Sequence, residues 1–337
     1  MLVGIHAVNI NTGGALVLLC ELLEKIEPFC IRIDVYVHVN FDTERINFKS
    51  DKINYLHKKN LFSSLFFSNI YDRSLFFGNL PPLNQVKKST TYIHNSYLVS
   101  NIENRNLSLP LKVKFLLLKT YIKVFSKKTE YFVCQTESMK NKFQLFYNKK
   151  ISISPFYREL KKYPSEIKYD LCFIGLPSFH KKYNFLLDCL DIISKKGIQL
   201  SIFVTVPFEC NFQGILKRID SINQAKNIRI INRGLASSEA ISDVYNSSRA
   251  LIFPSSTESF GLPLIEASLL GMNVFAPNLT YVNDVISDFI DIKLDDTNYT
   301  VNKIIEFMQD PTKFPKAQLK AKNNFPKQFL AGKGYEQ

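Results

Sequence analysis

Short apolar runs alternate along this chain with longer segments in which apolar residues recur at helical spacing. The short runs are rich in β-branched and aromatic residues and predict strands at residues 2–8, 31–39, 91–93, 131–135, 151–154, 171–174, 199–203, 228–231 and 250–253. The helical spacing predicts helices at residues 16–26, 138–145, 183–195, 214–223, 237–247, 263–270 and 301–308. Such alternation is typical of α/β proteins with parallel sheets.

A domain boundary is predicted between residues 154 and 170. This stretch contains Pro155, Pro164 and several charges, and a new strand follows it. A chain of 337 residues with 46% hydrophobic residues can fill two cores. We therefore expect an N-terminal domain over 1–160, a C-terminal domain over 161–312, and a tail over 313–337 that can return to the N-terminal domain. The segment 61–83, rich in Phe, Ser and Asn, gives no assignable pattern.

The formal net charge of +13 requires a partner or a structural reason. Lysines interleave with apolar residues between 112 and 128 and predict a basic amphipathic helix; they are Lys112, Lys114, Lys119, Lys123, Lys127 and Lys128. One interpretation is a helix that lies on an anionic membrane surface. The other is a helix of the N-terminal domain whose apolar side is core and whose lysines are solvated. No nucleic-acid partner is expected, because no known nucleic-acid motif accompanies the charge.

Six cysteines lie scattered in apolar segments, without a Cys-x-x-Cys pair. This usage favours a reducing cytoplasm over a disulfide framework or a zinc site. The first ten residues resemble a strand and lack the basic and apolar regions of a signal peptide, and the apolar runs are too short or too interrupted to span a bilayer. We expect a cytoplasmic protein, peripheral on the inner face of the cytoplasmic membrane.

Two carboxylates surround a glycine-bearing turn that opens a predicted helix. Glu258 lies in the loop and Glu266 about one turn into the helix. The backbone N–H groups of Phe260, Gly261 and Leu262 would point out of the helix start, where an anion such as a diphosphate is favoured. Carboxylates accept hydroxyl hydrogen bonds, so one could bind sugar hydroxyls and the other a ribose. The alternative is an ordinary strand–loop–helix unit with an acidic first turn.

Other positions carry candidate chemistry, each with an ordinary structural alternative. Gly13 and Gly14 link the first strand to the first helix and allow close backbone approach to a ligand, although a plain turn would also use them. His94 follows a strand, where histidines often make structural hydrogen bonds. Lys181 could bind a phosphate or be a solvated loop lysine. Arg233 precedes Gly234 and could belong to an exposed turn.

The segment 254–267, P-S-S-T-E-S-F-G-L-P-L-I-E-A, closely resembles the donor-site signature of retaining GT-B glycosyltransferases, in particular glycosyltransferase family 4. Seven residues separate the two glutamates of that signature, as they separate Glu258 and Glu266 here. The resemblance covers most of residues 170–300. It includes F-I-G-L-P-S-F-H-K at 173–181, in the variant with a His-Lys pair before the first helix, and G-M-N-V-F-A-P at 271–277.

The resemblance implies a role for each matching residue. Lys181 would meet the donor diphosphate, Glu258 the donor sugar and His94 the transferring sugar. The implied catalytic set is Glu258, His94 and Lys181. The implied donor-binding set is Gly13, Gly14, Lys181, Arg233, Ser259, Phe260, Gly261, Leu262 and Glu266. This chain departs from the pattern at Leu176, where many members have arginine, and at Asp284, where relatives more often have glutamate.

The resemblance further implies a GT-B fold, α/β with two Rossmann-like parallel-sheet domains that face a central cleft and close about the segment 154–170. The implied activity is a retaining, metal-independent transfer of a hexose-type sugar from a UDP-, GDP- or dTDP-linked donor. The implied acceptor is a growing, lipid-linked bacterial surface glycan of O-antigen or capsule type. No cofactor is expected beyond the donor as cosubstrate, and no metal site, since zinc spacing and an Asp-x-Asp site are absent from the sequence. The alternatives are an epimerase or phosphorylase of the same fold, and a catalytically degenerate binding partner.

Overall fold

The chain folds into two compact units. The computed structural model describes residues 1–11, 13–46, 48–99 and 108–332. Unit 1 comprises Met1–Arg158 together with the segment from Lys322 onward, and unit 2 comprises Glu159–Ala321. Each unit is built around its own parallel sheet.

Within the described residues, unit 1 has a seven-stranded sheet of order β3-β2-β1-β4-β5-β6-β7, in which every neighbouring pair is parallel. Its strands are β1 (Leu2–His6), β2 (Arg32–His38), β3 (Ile53–Lys58), β4 (Arg73–Phe76), β5 (Ser89–Ile93), β6 (Tyr131–Cys134) and β7 (Ser152–Ile153). Its helices are α1 (Gly13–Ile26), α2 (Leu61–Ser64), α3 (Leu109–Phe125), α4 (Glu137–Tyr147) and α11 (Phe325–Ala331). In numbering the helices we include only α-helices, in chain order over both units.

Unit 2 has a six-stranded parallel sheet among the residues described, of order β10-β9-β8-β11-β12-β14. These strands are β8 (Tyr169–Phe173), β9 (Leu200–Val204), β10 (Ile228–Asn232), β11 (Ser248–Ile252), β12 (Asn273–Pro277) and β14 (Ile290–Ile292). The short strands β13 (Ile286–Ser287) and β15 (Gln318–Leu319) pair antiparallel. The helices are α5 (Tyr183–Lys195), α6 (Gln213–Asn223), α7 (Ser238–Asn246), α8 (Leu262–Leu269), α9 (Thr280–Val285) and α10 (Thr297–Gln309).

In both sheets, the order in which strands are added reverses next to the first strand of the unit. In unit 1 the chain builds β2 and β3 on one side of β1, then crosses to β4 on the other side; in unit 2 it builds β9 and β10 beside β8, then crosses to β11. In open parallel sheets, ligands bind outside the carboxyl ends of the strands at such a switch point. The loops that follow β1 and β4, and those that follow β8 and β11, therefore define where a site is expected in each unit.

Several strands were missing from the sequence prediction. The unassigned segment 61–83 contains α2 and β4, and β4 begins with Arg73 and Ser74, which mask its apolar second half. Strand β3 carries alternating polar residues that include His57 and Lys58, because it lies at the edge of the sheet. Strand β14 has only three residues, which is too short for a periodic signal.

The predicted basic helix forms as α3. Its inner side, formed by Phe115, Leu118, Tyr121 and Ile122, packs against the unit 1 core. Lys119 departs from the expectation of solvated lysines, because its side chain is buried and its Nζ lies 4.4 Å from the ring centroid of Phe146 on α4. Burial lowers the pKa of Lys119.

Two predicted helix starts shift slightly. Helix α8 begins at Leu262 instead of Pro263, so the proline occupies the second position of the first turn, where its missing N–H costs nothing. Helix α4 begins at Glu137, one residue before the predicted start at 138, and its capping residue is Thr136, whose hydroxyl accepts from the Met139 amide at 3.3 Å.

Candidate active site

The candidate site of unit 2 lies in the loops after β8 and β11. These two strands are hydrogen-bonded neighbours at the switch point, and both loops leave from their carboxyl ends. The first loop leads through Gly175 to Lys181, and the second leads through Ser255 to Glu258 and the start of α8. Two segments far apart in the sequence thus deliver a lysine and a glutamate to one place.

Lys181 and Glu258 form an ion pair with 2.6 Å between Nζ and Oε1. Both side chains are largely shielded, with 13% and 14% of their surface exposed, so water screens the pair only partly. The same Oε1 accepts a hydrogen bond from the Ser255 hydroxyl at 2.8 Å. His180 Nε2 lies 3.8 Å away. The carboxylate is therefore held in one orientation beside two basic side chains.

The loop after β8 holds Lys181 against the sheet. Gly175 has φ of +152°, which side-chain-bearing residues rarely adopt, and a Cβ there would lie 3.4 Å from Lys181 Cε. The Thr205 hydroxyl accepts from the Gly175 amide at 2.9 Å, and the Tyr183 hydroxyl donates to the Gly175 carbonyl at 2.6 Å. Lys181 Nζ also lies 4.6 Å from the ring centroid of Phe253, a cation–π contact. The glycine therefore leaves room for the lysine stem.

The loop after β11 is fastened to the loop after β8 through His180. The His180 carbonyl accepts from the Ser256 amide at 2.8 Å and from the Ser255 hydroxyl at 3.2 Å. The Tyr281 hydroxyl donates to the Ser255 carbonyl at 2.6 Å. Burial lowers the pKa of His180, and the neighbouring Lys181 acts in the same direction while Glu258 opposes them.

Ser255 and Tyr281 were not predicted as site residues. Ser255 stands three residues before Glu258, a spacing at which serine often binds a nearby side chain or amide, and this was the available signal. Tyr281 had no such signal, because its contact depends on how α9 packs beside the loop. Both act by holding the loop that carries Glu258.

The start of α8 presents backbone amides next to this pair. Gly261 caps the helix with φ of +72°, a left-handed conformation that favours glycine. The amides of the first turn precede the intrahelical hydrogen bonds and carry the positive end of the helix dipole. Phe260 is 2% exposed, so its side chain belongs to the core and only its backbone can meet a ligand. Ser259 and Leu262 are partly exposed on either side.

Glu266 has a different partner from Glu258. It is 9% exposed, and its Oε2 accepts a hydrogen bond from the Tyr245 hydroxyl at 2.9 Å. A nearly buried carboxylate needs such a donor to offset its lost hydration. The structure thus gives the two predicted glutamates separate surroundings: Glu258 in a charged pair and Glu266 in a hydrogen bond with a tyrosine.

Arg233 lies at the same edge of the sheet but further along it. It follows β10, and β9 separates β10 from β8. Its side chain is exposed, whereas Gly234 is buried with φ of +64°, and a Cβ at Gly234 would lie 2.9 Å from the ring of Phe208. Leu176, at the position where the family resemblance implies an arginine, is 41% exposed.

In unit 1 the predicted residues lie at the carboxyl edge of its sheet. Gly13 begins α1 with φ of +71°, and a Cβ there would meet open space; Gly13 and Gly14 are both exposed. On the other side of the switch point, after β4, Asn79 accepts from the His94 amide at 2.7 Å. The Asn9 side chain donates to the Gly78 carbonyl at 2.7 Å and fixes the two loops to each other.

His94 directly follows β5 and is enclosed by aromatic rings. Its ring meets Phe77 edge-on, with 4.9 Å between centroids, and lies 6.1 Å from Tyr92. Its Nδ1 is buried and has no hydrogen-bond partner among the described residues. Burial lowers the pKa of His94 to about 4, so the imidazole is neutral near pH 7. A neutral ring can donate from one nitrogen and accept at the other.

Over the described ranges, no group of three or more His, Cys, Asp or Glu side chains is arranged to hold a metal ion. Among those same residues, no helix combines the length and the apolar character that crossing a membrane would require.

The chain belongs to the glycosyl transferases group 1, whose family model matches residues 158–327. It is also 25% identical over 146 residues to a protein described as an uncharacterized 41.2 kDa protein in the cps region of Klebsiella pneumoniae. That match covers 43% of this chain and 37% of the relative, so it spans well under half of the relative's length.

Solved structures resemble the chain over nearly its whole length. Sucrose-phosphate synthase from Thermosynechococcus elongatus matches with a TM-score of 0.71 and 13% identity, covering 93% of this chain and 90% of that one. Anabaena HepE, solved in complex with UDP and glucose, matches with a TM-score of 0.66 and 13% identity, covering 93% and 91%. Together with the two all-parallel sheets, these matches confirm the predicted α/β fold class of GT-B type.

Proposed function

We propose that this protein is a retaining glycosyltransferase that moves a hexose-type sugar from a nucleotide-sugar donor to a growing, lipid-linked bacterial surface glycan. The observation that carries the proposal is the pairing of Lys181 with Glu258 at the switch point of unit 2, beside the start of α8. An ammonium and free helix amides suit a diphosphate, and a carboxylate suits sugar hydroxyls.

The donor diphosphate binds Lys181 and the first-turn amides of Gly261 and Leu262. Glu258 pairs with Lys181 at 2.6 Å. When the donor binds, the phosphate takes over part of that pairing, and Glu258 turns to the hydroxyls of the donor sugar. Glu266, held by Tyr245, accepts the ribose hydroxyls, and Arg233 lies towards the nucleobase.

In the reaction, the bond between the anomeric carbon and the donor phosphate oxygen breaks. The acceptor hydroxyl oxygen forms the new bond on the same face of the sugar, and its proton passes to the leaving phosphate. Lys181 and the α8 amides stabilise the charge that develops on the diphosphate, which makes electrostatic stabilisation the main catalytic effect and requires no metal. His94 is neutral and contributes hydrogen bonds to sugar hydroxyls.

The donor and acceptor classes have separate support. The structural likeness to HepE, solved with UDP and glucose, favours UDP over GDP or dTDP as the nucleotide. The relative in a cps region favours a surface glycan of capsule or O-antigen type as the acceptor. A lipid-linked acceptor places the enzyme at the cytoplasmic face of the cytoplasmic membrane.

Leu176 favours one competing function, a catalytically degenerate transferase that binds donor and serves as the partner of an active enzyme. Its apolar side chain stands where the family resemblance implies an arginine, so the arginine half of the implied phosphate clamp is missing there. Lys181 then has to supply that charge alone.

The test is a thermal-shift screen of the purified chain against UDP-, GDP- and dTDP-sugars, with and without magnesium, followed by turnover with a polyprenyl-diphosphate-linked hexose. We expect one nucleotide class to raise the melting temperature without metal, and Lys181→Ala and Glu266→Ala to abolish the shift. The product should keep the donor's anomeric configuration by NMR. Donor binding without turnover would favour the catalytically degenerate transferase. Conversion of the donor to a different nucleotide sugar in the absence of acceptor would indicate an epimerase. Absence of any donor binding would refute the proposal.

A further inference from the structure

The outward side of α3 is apolar, although it faces solvent. While the inner side of this helix packs on the unit 1 core, Leu109, Val113, Leu116, Leu117 and Val124 point away from it. They are 74%, 48%, 61%, 65% and 63% exposed, respectively. At about 100° of rotation per residue, these five positions fall within an arc of about 100°. They form one continuous stripe along the helix, which we call the α3 stripe.

The α3 stripe contains no charge. Thr120 is the polar residue within the same arc, and its hydroxyl donates back to the Leu116 carbonyl at 3.0 Å, so it offers little to water. A surface helix of a globular protein normally carries its charged residues on the outward side. Exposed apolar stripes of this kind mark a surface that is covered by something else.

Lysines border the α3 stripe on both sides. From the helical rotation, Lys112 and Lys123 lie along one border and Lys114 along the other. Helix α3 has no acidic residue, and none of these three lysines forms an ion pair with the part of the chain that the structure describes. The surface is therefore an apolar strip with lysines along both borders.

The end of the neighbouring helix α4 also combines an exposed apolar residue with nearby lysines. The Nζ of buried Lys119 lies over the Phe146 ring and so connects α3 to the end of α4. Leu145, next in sequence to Phe146, is 88% exposed. Lys149 and Lys150 lie just beyond the end of α4, after Tyr147 and Asn148.

We propose that the α3 stripe lies on an anionic phospholipid membrane, with its leucines and valines in the boundary between headgroups and acyl chains and its lysines on lipid phosphates. An apolar stripe flanked by lysines is the pattern of helices that lie in the membrane interface. The proposal rests on the proposed function in one respect: membrane binding would bring the enzyme to its lipid-linked acceptor. The docking surface itself is defined by α3.

The charges around the α3 stripe favour a membrane over the two other possible partners, which are a second copy of the chain and nucleic acid. In a two-fold pairing of α3 with a second copy, the same surface is used twice, so Lys112, Lys114 and Lys123 would meet like charges with no acid on the helix to pair them. Nucleic acid would satisfy the lysines but leave the apolar stripe in contact with a polar ligand. A membrane with anionic lipids satisfies both parts.

The test measures co-sedimentation of the full chain with vesicles of phosphatidylcholine alone and with about 30% phosphatidylglycerol, the anionic lipid on which lysine clusters should depend. We expect binding to the anionic vesicles and much less to the neutral ones. Leu116→Glu combined with Leu117→Glu should lower the partition coefficient about tenfold or more, because it places charges in the part of the α3 stripe that enters the membrane. Ile31→Glu is the matched control: Ile31 is an 80% exposed apolar residue elsewhere on unit 1, and its change should leave binding intact.

Two controls separate this inference from the proposed function. Thermal melts of each variant, with and without UDP-sugar, check that the fold and the donor site are preserved. Transfer to a water-soluble acceptor should be unaffected by the stripe variants, so loss of vesicle binding alone would leave the transferase standing. The docking inference is overturned if the wild-type chain ignores anionic vesicles, or if the Leu116 and Leu117 changes do not weaken binding. It is also overturned if those changes convert a dimer in solution to a monomer while vesicle binding is absent.

Discussion

The carboxyl edges of the two parallel sheets share a strand order but carry different side chains. In unit 2 the loops beside the switch point present Lys181 and Glu258, a charged pair 2.6 Å apart. In unit 1 the corresponding edge presents His94, which burial keeps neutral, together with the amide side chain of Asn79 and the exposed backbone of Gly13. One edge offers charge and the other offers uncharged hydrogen-bonding groups.

This difference shows how two sheets with the same strand order can carry different chemistry at their carboxyl edges. The strand order fixes where each site lies, and the loops decide what it binds. A diphosphate needs a cation and free amides, which the unit 2 edge supplies. Hydroxyl groups can be bound by a carboxylate such as Glu258 and also by uncharged donors and acceptors, which are the groups that the unit 1 edge carries. Substitutions that remove a charge should therefore have their main effect on ligand binding and transfer at the unit 2 edge. Acidic pH should act mainly on the buried histidines of unit 1.

The largest effect is expected from Glu258→Gln, which keeps the shape of the side chain but removes its charge. Transfer should fall by about 100-fold or more, the scale for losing one preorganised charged group. Affinity for UDP should be unchanged or higher, because Lys181 is released from the ion pair. Steady-state kinetics and calorimetry measure the two quantities. Glu306→Gln is the control, since it breaks a Lys–Glu pair of 2.8 Å on the outer side of α10. Retention of more than half the activity in Glu258→Gln would contradict the assigned role.

Acid should destabilise the protein through the buried histidines of unit 1. Burial lowers the pKa of His94 to about 4 and that of His6 to about 3. Between these values and the unfolded value of about 6.5, the unfolded chain binds more protons, so stability is full above pH 6.5 and falls as pH drops. Each histidine contributes up to about 1.4 kcal/mol per pH unit.

Urea unfolding at pH 7, 6 and 5 measures this loss. His6→Gln, which can still bond the Ser64 hydroxyl that His6 meets at 2.8 Å, should flatten the pH dependence by up to one proton. His57→Gln, at an exposed position of the same unit, is the control for the substitution itself. An unaltered slope in His6→Gln would show that the acid sensitivity arises elsewhere.

His94→Asn should affect transfer without affecting nucleotide affinity. The asparagine retains hydrogen-bonding groups but shortens their reach, and we expect the turnover rate to fall about tenfold, the cost of losing one good hydrogen bond in the transition state. UDP affinity by calorimetry should stay within error of the wild type. His57→Asn on the same unit is the control. A parallel loss of UDP affinity would place His94 in the nucleotide site and remove the contrast between the two edges.

The smallest effect is expected from Tyr245→Phe, which removes the hydroxyl that donates to Glu266 at 2.9 Å. Losing one such bond should weaken UDP affinity about threefold to tenfold, because Glu266 is then less well oriented for the ribose. Tyr163→Phe is a matched control, since that hydroxyl donates to the Asp243 carboxylate at an exposed place on unit 2. Equal effects of the two changes would argue against a role for Glu266 at the ribose.

The sequence predicted the fold class and many elements, because long amphipathic helices such as α5 leave a strong periodic signal and mostly buried strands such as β11 contain short apolar runs. It missed β4 and β14, whose pairing depends on neighbouring strands more than on their own residues. The glycine turn before α8 was predictable from local chemistry. The contact of Lys181 with Glu258 was not, because it arises from the parallel pairing of β8 with β11, which brings together loops distant in the chain.

The central claim is that the unit 2 edge binds a nucleoside diphosphate through Lys181. Isothermal titration calorimetry of UDP with the wild-type chain, Lys181→Ala and Lys182→Ala tests it most directly. Lys182 is the matched control, since its Nζ lies 4.5 Å from the Phe179 ring centroid and not in the Glu258 pair. We expect the wild type and Lys182→Ala to bind UDP with similar affinity and Lys181→Ala to bind about tenfold or more weakly, as for the loss of a charged hydrogen bond. Equal affinity of Lys181→Ala and the wild type, or no binding of UDP, GDP or dTDP by the wild type, would contradict the account.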